Sequence, residues 1–210
     1  MSKYPVYNIQ RFNCNSVNSD LYVNTFKNHL MTHRFVEEPH RHNSYVLVFF
    51  TKGSGNHEID FDTFSIQPGS MFFLQPGQMH HWNLSDDIEG FIVFYSQEIY
   101  NLYFGQKSIE QYPFYYSVST SPEIVFDSSE SKTISPYFDS MMLESVGNQM
   151  MKQDKILNLL DIIHIEIARK YNQRQVHETH SYNVKIKNFE LLLERFFKTE
   201  KAPSFYAEQL

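Results

Sequence analysis

The sequence predicts an α+β fold: a small β-barrel followed by helices. Two observations carry this expectation. From Leu21 to about Phe104 the chain reads as short apolar-rich runs, each closed by turn-forming residues. From about Ser135 onward the apolar residues recur at helical spacing instead. Composition agrees with the first observation. Nineteen Phe and fourteen Tyr stand against one Trp (Phe 19, Tyr 14, Trp 1), and flat rings suit a pleated, half-buried strand surface.

The strand runs are Tyr45 to Phe50, Phe61 to Ile66, Met71 to Leu74 and Gly90 to Tyr95. Lys52-Gly53-Ser54-Gly55, Gln67-Pro68-Gly69, Gln75-Pro76-Gly77 and Leu84-Ser85-Asp86-Asp87 punctuate them, and no helical periodicity shows in this region. A connector runs from about Gly105 to Lys132, interrupted by Tyr112-Pro113 and Ser121-Pro122, with Glu123 to Phe126 as one further strand. Ser135-Pro136 has the chemistry of a helix start, with Ser as N-cap and Pro in the first turn, and Gly147-Asn148 that of a stop.

A second helix is expected from about Asp154 to Tyr171, with Ile156, Leu159, Leu160, Ile163 and Ile167 in one stripe. Leu157, Ile162 and Ile165 widen the apolar surface beyond what docking on one partner needs. The excess predicts a second copy of the chain as partner, with Leu157, Leu160, Ile163 and Ile167 at the dimer interface. Residues 172–182 are polar and read as a linker. A third helix is expected from about Val184 to Lys198, and Pro203-Ser204 starts another. The division is therefore 1–132 barrel with connector, 133–172 helical dimerisation element, 173–186 linker and 187–210 the start of a further helical module.

Several functional classes are disfavoured at this level. A formal net charge of −6 argues against holding nucleic acid through phosphate neutralisation. Cys14 is the only cysteine, so no intrachain disulfide forms and no oxidising compartment is implied. Met1 to Ile9 lacks the pattern of a signal peptide, and no apolar run approaches the roughly 20 residues of a membrane helix. A cytoplasmic location and no membrane partner are expected. No Ser/His/Asp or Cys/His constellation is visible, and Gly53, Gly55 and Gly69 are turn glycines because no helix follows them.

The residues with distinctive chemistry are histidines. His40 and His42 share a parity, so on a strand they project to one side, together with Val46, Val48 and Phe50. His80 follows a Pro76-Gly77 turn, Trp82 shares its parity, and His81 has the opposite one. PHRH, a Gly-containing turn and then QPGSMFFLQPGQMH resemble the two motifs of the cupin barrel. In metal-binding cupins the His-x-His pair, a glutamate four or five residues later and the histidine after Pro-Gly surround one metal. Here Val46 and Leu47 occupy the glutamate positions. Three readings stay open: a metal held by His40, His42 and His80; a pocket whose histidines hydrogen-bond a ligand or each other; and purely structural histidines. The lost carboxylate removes the expected general base and disfavours enzyme chemistry, so no cofactor and no catalytic residue is expected. The alternative is a metal-dependent cupin enzyme, a dioxygenase or isomerase, using His40, His42 and His80.

The region from Pro39 to Tyr95 is similar to the barrel of AraC-type bacterial transcription regulators, through PHRHNSY (Pro39 to Tyr45), the stretch from Thr51 to Trp82, and EGFIVFY (Glu89 to Tyr95). Lys187 to Leu210 (KNFELLLERFFKTEKAPSFYAEQL) looks like the entrance to that family's helix-turn-helix module. The resemblance implies a cupin-like barrel that binds a small-molecule effector, a helical pair that forms a homodimer, and DNA contact through two helix-turn-helix units. The chain stops at Leu210, before the first recognition helix, so DNA reading is expected only of a full-length product. The effector pocket is expected to be lined by His40, His42, Val46, Val48, His80 and Trp82.

Overall fold

The structure is a computed structural model that describes residues 4–12, 20–33, 38–115, 120–174, 188–189, 192–193 and 195–210. It is mixed α+β, as the sequence predicts, and its first part is a barrel of two five-stranded sheets. The first sheet holds β1 (Val6–Tyr7), β3 (His40–His42), β8 (Met79–Leu84), β5 (Gly55–Ile59) and β6 (Asp62–Ile66) in the order β1-β3-β8-β5-β6. The second holds β10 (Glu123–Val125), β7 (Ser70–Leu74), β4 (Tyr45–Lys52), β9 (Glu89–Tyr95) and β2 (Leu21–Thr25), in the order β10-β7-β4-β9-β2.

The two sheets carry different sequence patterns for a physical reason. One face of the second sheet lines the barrel and the other carries the helices, so its strands are apolar on both faces. Along β4, Val46, Val48 and Phe50 face the barrel interior with Phe72, Leu74, Ile92 and Phe94. Tyr45, Leu47 and Phe49 face the helical side with Phe73, Val93 and Tyr95. In the first sheet β5 and β8 alternate buried and exposed positions, because only one face meets the core. Gly69 closes the β6–β7 turn at φ 96°, where a Cβ would stand 2.0 Å from the Phe126 carbonyl oxygen.

Two short helices interrupt the stretch expected to be free of them: α1 (Phe26–Thr32), capped by Thr25, and α2 (Gln97–Phe104), whose Ser96 Oγ accepts from the Ile99 N–H at 3.1 Å. Both are too short for periodicity to show. Their signals are the Thr and Ser caps.

The helical pair is α3 (Ser128–Val146) and α4 (Lys152–Arg174). α3 begins two turns before the expected Ser135-Pro136 start, because Asp127 and Glu130 form a reciprocal capping box. Pro136 lies inside the helix, one residue after Ser135, whose hydroxyl donates to the Ser131 carbonyl at 2.7 Å. The stop at Gly147 is where the sequence placed it. Phe138 stacks on Phe49 and Phe91, each at 5.3 Å between ring centres, and this anchors α3 on the second sheet.

The structure corrects the residues expected at a dimer interface. Leu157, Leu160, Ile163 and Ile167 have no exposed surface and sit in the chain's own core. The wide stripe of α4 is used by two internal neighbours, the sheet and α3. Polar contacts lock the same helix. Tyr95 Oη is 2.8 Å from both His164 Nε2 and Tyr115 Oη, and Asp161 accepts from Lys107 at 2.6 and 2.7 Å and from the Tyr100 and Tyr112 hydroxyls.

Cys14 and the expected linker from residue 175 onward lie outside the described residues. Of the expected Val184 to Lys198 helix, residues 188–189, 192–193 and 195–196 are described and helical. Pro203–Gln209 is a helix with Pro in its first turn, as expected, and Tyr206 Oη donates to the Glu200 carbonyl at 2.8 Å. Among the described residues no helix is long and apolar enough to cross a membrane.

Burial of α4 predicts that Ile163→Glu acts on stability rather than on assembly. A carboxylate placed among these side chains is expected to cost on the order of 4 kcal/mol, read as a lower urea midpoint. A wild-type midpoint would show that this face is not packed as described.

Candidate functional site

The barrel centre is built by strand register. β3 and β8 run antiparallel with His40 opposite His80, and β5 pairs β8 with Ile59 opposite His80 and His57 opposite Trp82. Inward parity then gathers His40, His42, His57, His80 and Trp82 on the inner face of the first sheet. All four histidines and Trp82 are buried. Ring centres of His40 and His80 lie 4.4 Å apart, those of His42 and His80 5.1 Å, and the indole of Trp82 meets His80 edge-on at 4.6 Å. Phe94 packs edge-on against His42 at 4.8 Å. Val46 and Val48 belong to the same interior cluster, so the structure brings all six expected pocket residues to the barrel interior. His81 faces outward, as its parity predicts, and pairs with Glu58 at 3.2 Å. Tyr95, at the end of β9, faces the helices.

His57 was not among the expected residues. Its strand, Gly55–Ile59, has no apolar run to mark it, and the available signal was the shared parity of His57 with Ile59. His29 on α1 was missed as well. It is fully buried, with Nδ1 3.0 Å from Tyr22 Oη.

Hydrogen bonds within the cluster are few. His40 Nδ1 lies 2.6 Å from the Glu38 carbonyl, which only accepts, so this nitrogen carries the proton. His40 Nε2 is 3.0 Å from His42 Nε2, and His57 Nε2 is 3.0 Å from His80 Nδ1. Among the described residues His57 Nδ1, His80 Nε2 and Trp82 Nε1 are buried without a hydrogen-bond partner. Burial first, and neighbouring imidazoles second, push His42, His57 and His80 well below the ordinary histidine range, and burial outweighs the Glu38 hydrogen bond to lower His40, so all four are neutral at pH 7. Burial pushes His29 and His164 down to about 3.

One nitrogen each from His40, His42 and His80 lie within 4.8 Å of one another. Three neutral imidazoles without a carboxylate make a nitrogen donor set that suits zinc, nickel, cobalt or iron and not calcium or magnesium. The bare His40 Nε2 and the unpartnered His80 Nε2 are what a bound ion requires, and an open coordination position would remain. The residues therefore fit a divalent metal. A cleft of about 500 Å³ opens beside Trp82, lined also by Lys27, Leu30, Met31, Leu84 and Ile88, and none of the barrel histidines lines it.

A family model described as the AraC-like ligand binding domain matches residues 21–180. No curated protein matches the chain. Among solved structures, an apo ToxT variant from Vibrio cholerae is 13% identical with TM-score 0.45, covering 92% of this chain and 71% of that one. The AraC-like transcriptional activator CuxR is 13% identical with TM-score 0.42, covering 78% and 55%. Oxalate decarboxylase from Bacillus subtilis is 20% identical with TM-score 0.27 over 29% of this chain and 18% of its own.

The buried neutral histidines set the pH dependence of stability. Their folded pKa values lie below the unfolded value of about 6.5, so between the two the unfolded chain binds more protons. Stability is expected to be level above pH 7 and to fall as pH drops below about 6.5, by up to about 1.4 kcal/mol per pH unit for each histidine. Urea midpoints between pH 7.5 and pH 5 check this, and a midpoint independent of pH would contradict it.

Proposed function

The chain belongs to the AraC-like ligand binding domain family, and we propose that it is the effector-sensing part of a transcription regulator, with the barrel histidines as part of the sensing site. The observation that carries this reading is the cluster itself. Four neutral imidazoles face one another in an apolar barrel with several ring nitrogens unpaired. Each unpaired buried polar atom costs about 1–3 kcal/mol, so a ligand that supplies the missing partners is favoured there. His40, His42 and His80 supply the polar contacts, and Val46, Val48 and Trp82 the apolar wall.

Such a ligand acts on transcription only through unequal affinity for two states of the full-length regulator. Control of DNA through a helix-turn-helix module, and pairing of two copies, belong to the same proposal. With the α4 stripe internal, pairing would use exposed side chains of the helical hairpin such as Leu143 and Val146. Sedimentation tests it: a Val146→Glu chain is expected to run as a monomer where the parent runs as a dimer, and a monomeric parent at micromolar concentration would end the pairing idea.

A second reading has its own observation, the convergence of the three histidine nitrogens. His40, His42 and His80 would hold a divalent ion, which when bound supplies a Lewis-acidic centre with an open position. Val46, where a carboxylate ligand is expected, leaves the set uncharged.

A small-molecule library read by thermal shift tests the sensing site. A true effector is expected to raise the melting temperature in the parent and not in the His40→Ala/His80→Ala double variant. If no compound shifts the parent, or the double variant responds equally, the histidines are not the sensing site. Elemental analysis of protein prepared without added metal separates the second reading from the first.

A further inference from the structure

We propose that His57 is a positioning residue for a divalent ion at the barrel histidines, acting by holding the proton of His80 on Nδ1 so that Nε2 presents a lone pair to the ion. The inference rests on the metal reading above, and His57 lies outside the trio that forms that site.

A neutral imidazole has one N–H and one lone pair, and hydrogen bonding at one ring nitrogen decides what the other offers. Between His57 Nε2 and His80 Nδ1, 3.0 Å apart, there is room for one proton. With that proton on His80, its Nε2 is bare and stands with His40 and His42, and His57 Nε2 is the acceptor. His40 is arranged in the same way, since the Glu38 carbonyl at 2.6 Å holds its proton on Nδ1. Two of the three rings thus have their ion-facing nitrogen set by a partner on the opposite side. This is the outer-shell arrangement by which proteins orient histidine ligands. His42 differs: its Nε2 stands 3.0 Å from the bare His40 Nε2, and three lone pairs converge when its own proton lies on Nδ1.

Packing places the His57 ring. It lies 5.0 Å from Trp82 at a 38° tilt and meets Phe72 edge-on at 4.6 Å. His80 Nδ1 is its hydrogen-bond partner, and His57 Nδ1 has none among the described residues. A residue needed only for volume would not require an acceptor directed at His80. Leucine fills comparable space without one, whereas the side-chain carbonyl of glutamine keeps one.

The test titrates the full chain with Co(II), read by visible absorption and calorimetry, with Zn(II) in competition. The parent is expected to bind one ion. His57→Leu is expected to bind about 10–100-fold more weakly, and His57→Gln to recover most of that loss. Circular dichroism and urea midpoints confirm folding of each variant. A parent that binds neither ion overturns the metal reading and this inference together. A parent that binds, with His57→Leu binding equally well, overturns the inference alone, as does equal weakening in folded Leu and Gln variants. If His57→Leu does not fold, histidine ¹⁵N spectra of the zinc-loaded parent decide. Protonated Nδ1 on His80 is the expected state, and protonated Nε2 overturns the proposal.

Discussion

The second sheet is covered on both faces, and the rest of the molecule is arranged around that constraint. Every residue of β4 from Tyr45 to Phe50 is buried, and alternate side chains serve different compartments. Val46, Val48 and Phe50 fill the barrel, while Tyr45, Leu47 and Phe49 receive α3 and α4. A register slip of one residue would exchange the two sets, which makes the pairing of β4 with β7 and β9 strongly specified. The barrel and the helical pair accordingly share a wall. On β9, Phe94 touches His42 on one side of that wall, and Tyr95 bonds His164 on the other.

Polar groups on the two sides of the wall are satisfied differently. On the helical side burial pushes the Asp161 carboxyl up, but Lys107 and the Tyr100 and Tyr112 hydroxyls outweigh it and hold the group ionised. Inside the barrel no carboxylate accompanies the imidazoles among the described residues, because Val46 occupies the inward position that would supply one. Without a nearby negative charge the buried rings shed their protons. A neutral ring keeps one N–H and one lone pair, and with the His40 N–H spent on the Glu38 carbonyl its bare Nε2 suits a hydrogen-bond donor or a cation. That chemistry ties the sensing reading and the metal reading to the same three histidines, His40, His42 and His80, and the two differ in what supplies the missing contacts.

Much of the barrel is legible in the sequence. The apolar runs Tyr45 to Phe50 and Gly90 to Tyr95 announced strands because both their faces are buried. The parity of His40, His42 and Val46 predicted their common side, and the motif around Pro76-Gly77 added His80. β5 escaped notice because one of its faces meets water and its residues are mostly polar, and His57 went with it. The start of α3 was placed at Ser135-Pro136, although Asp127 and Glu130 already had capping-box spacing; a proline in a first turn and a proline inside a helix look alike in one dimension.

By itself the sequence determined the α+β order of elements, the inward side of the histidine strand and the absence of the expected carboxylate, since these follow from local spacing and residue type. Only the tertiary structure decided which surfaces meet. Periodicity shows that Leu157, Leu160, Ile163 and Ile167 must leave water, but hydrophobic burial is non-directional and does not name the partner, which proved to be the chain's own sheet and α3. The fourth histidine was decided in the same way. His57 and His80 are 23 residues apart, and only the pairing of β5 with β8 brings their nitrogens to 3.0 Å.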